Sequence, residues 1–239
     1  MTDTVAPDTP ALGLFARAIG IITSPKATFE KVIAAPRPVG ILFLCAILAG
    51  GSMAAFALTE KGRQAQVDFS VQQMEKMGMT VTDEVYARLE KQAPYQPYLQ
   101  MVGSLIGFPI VVLIVTGILY AVFNAIMGGT ADFKQVMAVT THSWVVPTLG
   151  ALFAGVLNFA RGSIQPSVAN LGMLLPMLKE GSFVANLAGG VDLFQIWFVI
   201  TMATGLGVLY KRKTGSVATG LFIVYALLVV TISYFTRKG

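Results

Sequence analysis

Side chains able to do chemistry are few in this sequence. It holds one histidine, His142, and one cysteine, Cys45. Such a pair can build neither a Cys/His zinc site nor an intrachain disulfide. His142 stands in QVMAVTTHSWVVP, 135–147, where Gln135, Ala138 and His142 share a helical face at i, i+3, i+7. Pro147 deprives the Ser143 carbonyl of its helical partner, so a kink is expected, compensated by the hydroxyls of Thr140, Thr141 and Ser143 or by water. Two uses follow: a polar cavity gated around His142, or interhelical hydrogen bonds of about 0.6 kcal/mol each. The second is preferred, because a neutral imidazole needs only two partners and several polar groups are nearby. Asn124, Asn158 and Gln195 add amides of the same kind. Asp83 and Glu84 decorate a solvated helix start better than they bind a metal. There is no HExxH, GxSxG or GxxxxGK, and one histidine leaves little general-base capacity. The expectation is a chain that is not an enzyme and needs no metal or cofactor.

The elements that must position these groups are apolar and long. Uncharged stretches cover 38–59, 92–131, 135–160, 193–210 and 214–236. A bilayer core of about 30 Å takes roughly 20 apolar residues in a helix, which alone satisfies its own backbone in lipid. Charged residues make up 12% against about 25% in soluble domains, and hydrophobic ones 55%. The fold class expected is all-α, a polytopic membrane bundle of five transmembrane helices at about 39–58, 101–127, 136–159, 193–210 and 215–235. Ala46/Gly50, Gly103/Gly107, Gly117/Ala121/Ala125 and Ala203/Gly207 are small-xxx-small pairs expected to pack helices within the chain, with a homo-oligomer as their other use.

Outside the spans, residues 1–12 read as a disordered tip of a cytoplasmic N-terminal segment, 1–38. Ser24-Pro25 looks like an N-cap followed by proline at the first helical position. The helix it opens has Phe29, Val32 and Ile33 on one side and Lys26, Glu30 and Lys31 on others, an interfacial amphipathic helix expected to lack a specific docking site. Residues 60–98 read as an extramembrane helical hairpin. Val67, Val71, Met74 and Val81, Val85, Leu89 form its apolar stripes, with a break near Gly78, a capping box from Thr80 to Asp83, and closure by Pro94 and Pro97. Met74, Met77 and Met79 are read as packing material on the bundle mouth in preference to a partner surface.

Residues 161–192 contain Pro176 and are read as an interfacial or re-entrant loop, not a sixth span. With five spans, Lys211, Arg212 and Lys213 share a side with Arg17, Lys26, Lys31 and Arg37, as the positive-inside tendency asks. That puts the N-terminus in the cytoplasm and the C-terminus outside. The net charge of +5 is explained by basic residues at span ends, which serve topology and lipid headgroups, not nucleic acid.

Three segments resemble the Yip-one domain family of Ypt- or Rab-interacting membrane proteins, in its bacterial form. TSPKATFEKVIAAPRP, 23–38, is similar to the family's pre-membrane pattern through Pro25, Thr28 and Phe29. MGGTADFKQVMAVTTHSWVVP, 127–147, matches at Gly128, Gly129, Phe133, Gln135, Ala138, Val139, Ser143 and Pro147 and encloses His142. LFQIWFVITMATGLGVLYKRKTGSVATG, 193–220, carries Trp197. The resemblance implies a five-span bundle with a cytoplasmic N-terminus, no catalysis, and a bacterial inner membrane. Eukaryotic relatives act in vesicle traffic with Rab GTPases, but the Asp-Leu-Tyr-Gly-Pro pattern found there is missing here, and that activity is not carried over. The function expected is a membrane organising or protein-interaction component, with membrane lipids and a protein in the same membrane as partners. The alternative is a small-solute or lipid transporter or channel without carboxylate coupling, since no Asp, Glu, Lys or Arg lies inside an assigned span.

Overall fold

The structure, a computed structural model, describes residues 12–164 and 169–237. The expected tip at 1–12 therefore lies, apart from Leu12, outside the described residues. The chain is an all-helical membrane bundle, with no strand among the described residues. Four helical runs are long and apolar enough to cross a membrane: Pro38–Ala57, Asp83–Ile126, Phe133–Arg161 and Thr214–Phe235. A fifth apolar helix, Leu193–Leu209, has 17 residues, or about 25 Å, slightly short of a full hydrocarbon core.

We number the helices in chain order. α1 (Leu14–Thr23) and α2 (Pro25–Ala34) form a short N-terminal pair, followed by α3 (Pro38–Ala57). α4 (Glu60–Lys76) and α5 (Asp83–Gln92) form the hairpin, and a 3₁₀ turn at Ala93–Tyr95 leads into α6 (Gln96–Tyr120) and a π-helical segment, Ala121–Ile126. α7 (Phe133–Ser143) and α8 (Val145–Arg161) are one run interrupted at Trp144. α9 (Phe183–Gly190), α10 (Leu193–Leu209) and α11 (Thr214–Phe235) complete the chain.

α3 packs between α6 and the α7–α8 run, and α10 packs on α7, α8, α11 and α2. The core is built where these meet, from Ile41, Cys45, Val136, Val139, Met202, Ala203 and Leu206. α6 and α11 stand at the periphery. Ile106, Ile110, Ile114 and Ile118 on α6 are each more than half exposed, as are Leu227 and Leu228 on α11. Rows of exposed branched residues at helical spacing are a surface for lipid, not water.

Two small-residue pairs do pack inside the chain. A Cβ at Gly50 would lie 2.6 Å from Ser104 of α6, and Ser104 Oγ donates to the Ala46 carbonyl at 2.7 Å. Ala203 is fully buried in the core, four residues before Gly207, which meets the turn into α11. Gly103, Gly107 and Gly117, by contrast, have open space where a Cβ would stand, so α6 does not use them against the rest of this chain.

Several local readings need correction. The N-cap of α5 is Thr82, whose hydroxyl accepts from Val85 N–H, not Thr80; the extended chain before the helix runs two residues further than the capping-box spacing suggested. Pro94 and Pro97 do not close the hairpin. Proline is tolerated in a first helical turn, and here both stand at the start of a turn, so α5 continues into α6. The turn between α4 and α5 does fall at Gly78, whose φ of +79° is the left-handed conformation glycine favours. Residues 161–192 hold no span-length helix among those described; α9 packs on α11, and Tyr225 Oη donates to the Gly190 carbonyl at 2.5 Å.

Candidate functional site

The N-terminal pair is the part of the fold that gathers polar side chains. Ser24 opens α2 at the expected place, but its hydroxyl makes no cap bond. Its carbonyl accepts instead from Thr28 Oγ1 at 2.9 Å. Thr28 presses α1 and α2 together, because a Cβ at Gly20 would collide with the Thr28 hydroxyl. One turn on, Phe29 is completely buried, and a Cβ at Gly205 of α10 would come within 2.9 Å of its ring. Val32 is buried beside it. α2 is therefore seated on α10 and α7 of its own chain. The stripe Phe29, Val32, Ile33 is the seated face, and Lys26, Glu30 and Lys31 are exposed.

The shared face of Gln135, Ala138 and His142 on α7 points at this pair. Gln135 Nε2 donates to the Ile33 carbonyl of α2 at 3.4 Å, while its Oε1 accepts from Asp132 N–H to complete a capping box. Ala138 and His142 are fully buried. His142 Nε2 lies 3.5 Å from a terminal nitrogen of Arg17 on α1, and that same nitrogen donates to the Arg37 carbonyl at 2.8 Å. A guanidinium can only donate. Nε2 must then hold the lone pair, and Nδ1–H donates to the Ala138 carbonyl at 2.7 Å, which defines one neutral tautomer. Arg17 is only 8% exposed, and its Nε has no hydrogen-bond partner. Its pKa is lowered by burial first and by the neighbouring Arg37 second. A buried cation from outside the spans thus meets the one histidine within them.

The hydroxyls around His142 do not compensate for Pro147 as expected. Thr140, Thr141 and Ser143 donate to the carbonyls of Val136, Met137 and Val139, each four residues back. They are spent within α7, and the helix breaks at Trp144. Trp144 fills the break, edge-on to Phe108 at 5.2 Å and tilted against Phe198 at 5.1 Å.

A second group forms at the same end. Asn124 donates to the Ala131 carbonyl at 2.7 Å and accepts from its N–H, tying off the loop between the π-helical segment and α7. Gly128 takes a φ of +71° in this loop. Gly129 is held flat against Tyr210, whose ring a Cβ would meet at 2.5 Å. Tyr210 also stacks on Phe123 at 4.8 Å, and its buried hydroxyl has no hydrogen-bond partner. Arg212 donates to the Met127 carbonyl at 3.2 Å. Phe133 is edge-on to Tyr120 and 42% exposed.

Of the residues singled out in the sequence, Pro25, Thr28, Phe29, Gln135 and His142 thus converge on the N-terminal pair, and Gly128, Gly129 and Phe133 on the loop. Ser143 and Pro147 border the Trp144 break. Trp197 lies about two turns along α10 from Gly205 and is half-buried. Arg17, Gly20, Gly205 and Tyr210 were not legible as site residues. The one available signal was a single arginine in the otherwise apolar LFARAIGII, a run too short to span. Asp83 and Glu84 are exposed on the first turn of α5, where Glu84 pairs with Arg88 at 3.6 Å. Among the described residues no three of His, Cys, Asp and Glu are grouped to hold a metal.

Comparison with known proteins also points to the membrane. The chain is similar to a membrane protein of Bacillus subtilis (strain 168), YknW, at 24% identity over 221 residues, which is 88% of this chain and 86% of that one. No solved structure matches. The model of the Yip1 domain matches residues 19–235, nearly the whole chain and every helix of both groups except the start of α1. The chain belongs to the Yip1 domain family.

Proposed function

We propose that this chain is a non-catalytic membrane protein that binds or organises other proteins in a bacterial inner membrane, its N-terminal end in the cytoplasm and its C-terminus outside. The observation that carries this reading is the α4–α5 hairpin. α5 buries no residue, and its half-buried stripe of Val85 and Leu89 leans on α4 and the adjoining turn. Met77 and Met79 at its tip are 69% and 42% exposed, which replaces the reading of these two as packing material. Flexible, polarizable methionines on a projecting element suit an adaptable protein contact. Sidedness is read from charge: with Arg17 set aside as buried, the exposed Lys26, Lys31, Arg37, Lys211, Arg212 and Lys213 lie at one end, the end that positive charge marks as cytoplasmic.

The test is affinity capture from mild detergent, with the wild type compared against a Met77→Glu, Met79→Glu double variant. A membrane partner is expected with the wild type and lost with the variant. Recovery of no partner, together with unaltered membrane morphology on deletion, would overturn the reading.

A further inference from the structure

Two concavities at the N-terminal end meet at shared residues. One is a cavity of about 520 Å³ beside the Gly128-Gly129 loop, lined by Thr130, Gln135, Tyr210, Lys211 and Arg212 among others. The other is a groove of about 300 Å³ between the end of α6 and α11. Its floor is Leu119, Phe123 and Val217, all buried, and its open rim is Ile118 and Val224, both more than half exposed. Met127 and Arg212 line both.

The combination is amphiphilic, with a polar chamber joined to an apolar channel by an arginine. Along α11 the groove runs from Ser216 to Val224, about 12 Å, which lies within one leaflet of a hydrocarbon core of about 30 Å. That depth suits the upper part of one acyl chain. Three successive cations, Lys211, Arg212 and Lys213, are all exposed at the mouth. Arg212 uses one nitrogen on the Met127 carbonyl and keeps other N–H groups for a phosphate. Basic pockets between transmembrane helices complement anionic headgroups. A protein helix would match the apolar groove but leave the polar chamber and its cations without a counterpart.

We propose that the cavity and groove together form a site for one anionic phospholipid, its phosphate at Arg212 and an acyl chain against α11. The site is independent of the partner surface on the hairpin, so failure of either leaves the other standing.

The probe is phosphatidylglycerol set against phosphatidylcholine, with lipid retained by the purified full chain read by native mass spectrometry. The wild type retains phosphatidylglycerol preferentially, and Arg212→Gln lowers that preference about fivefold. Gly220 lines the groove with open space at its Cβ position, so Gly220→Leu fills the channel without striking the fold and removes the retained lipid. A phosphatidylglycerol carrying a photoreactive acyl chain, applied to the unmodified protein, labels α11 between Ser216 and Val224. Equal retention of the two lipids by the wild type, or labelling spread evenly over the exposed faces of α6 and α11, would overturn the proposal. A dimer that Gly220→Leu abolishes would overturn it too, by showing that a second copy fills the groove.

Discussion

The two ends of this bundle solve the same problem differently. At the N-terminal end, α1 and α2 are too short to span, yet they are held by Phe29 in the core, Gln135 on the Ile33 carbonyl and Arg17 beside His142. At the other end, α4 and α5 make up a larger element that buries only Gly62, Ala65 and Val67 between them. Among the described residues it meets the 161–192 segment at a Lys76–Glu180 pair at 2.9 Å whose side chains are 48% and 82% exposed. One element is joined through buried aromatic and polar groups, the other by its sequence neighbours and a solvated ion pair. Burial at the joint, not element size or charge count, decides which is part of the core.

That contrast can be broken by substitution. Phe29→Ala should have the largest effect, costing about 3–5 kcal/mol through lost burial and the cavity left behind. Unfolding in mixed micelles measures it, and release of α1–α2 should appear as new protease sensitivity before residue 38. Gly205→Ala comes next at about 1–3 kcal/mol, because its methyl group meets both the Phe29 ring and Val139. Arg17→Met should cost about 1–3 kcal/mol, since it leaves the buried His142 Nε2 and the part-buried Arg37 carbonyl without their donor. Lys76→Ala at the opposite end should cost less than about 1 kcal/mol, with the difference fading as salt is raised. A Lys76→Ala effect equal to that of Arg17→Met would erase the distinction between the ends.

The apolar helices were readable because lipid imposes length and composition on each segment separately. α3 and α11 need no knowledge of the rest of the chain to be found. The Gln135, Ala138, His142 face was readable for the same reason, as a periodicity. What it faces was not. Arg17 and His142 are 125 residues apart, and nothing local distinguishes an arginine that turns inward from one that marks topology. Counting Arg17 among the topological charges was sound arithmetic applied to a side chain that is buried. Gly205 was invisible for a related reason: its lack of a side chain matters only because Phe29 occupies the space. The errors at Thr80 and at Pro94 and Pro97 were local. Capping and proline rules mark where helices can start, and two admissible starts close together are separated only by the packing of the rest.

Amide hydrogen exchange of the full chain in lipid nanodiscs compares the two ends most directly, because it reads every segment at once without substitution. If α1 and α2 are built into the core, amides between Leu14 and Ala34 exchange as slowly as those of α7, while α5 between Asp83 and Gln92 exchanges orders of magnitude faster. Exchange at 14–34 as rapid as at 83–92 would show a helix pair resting on the surface and would contradict the account.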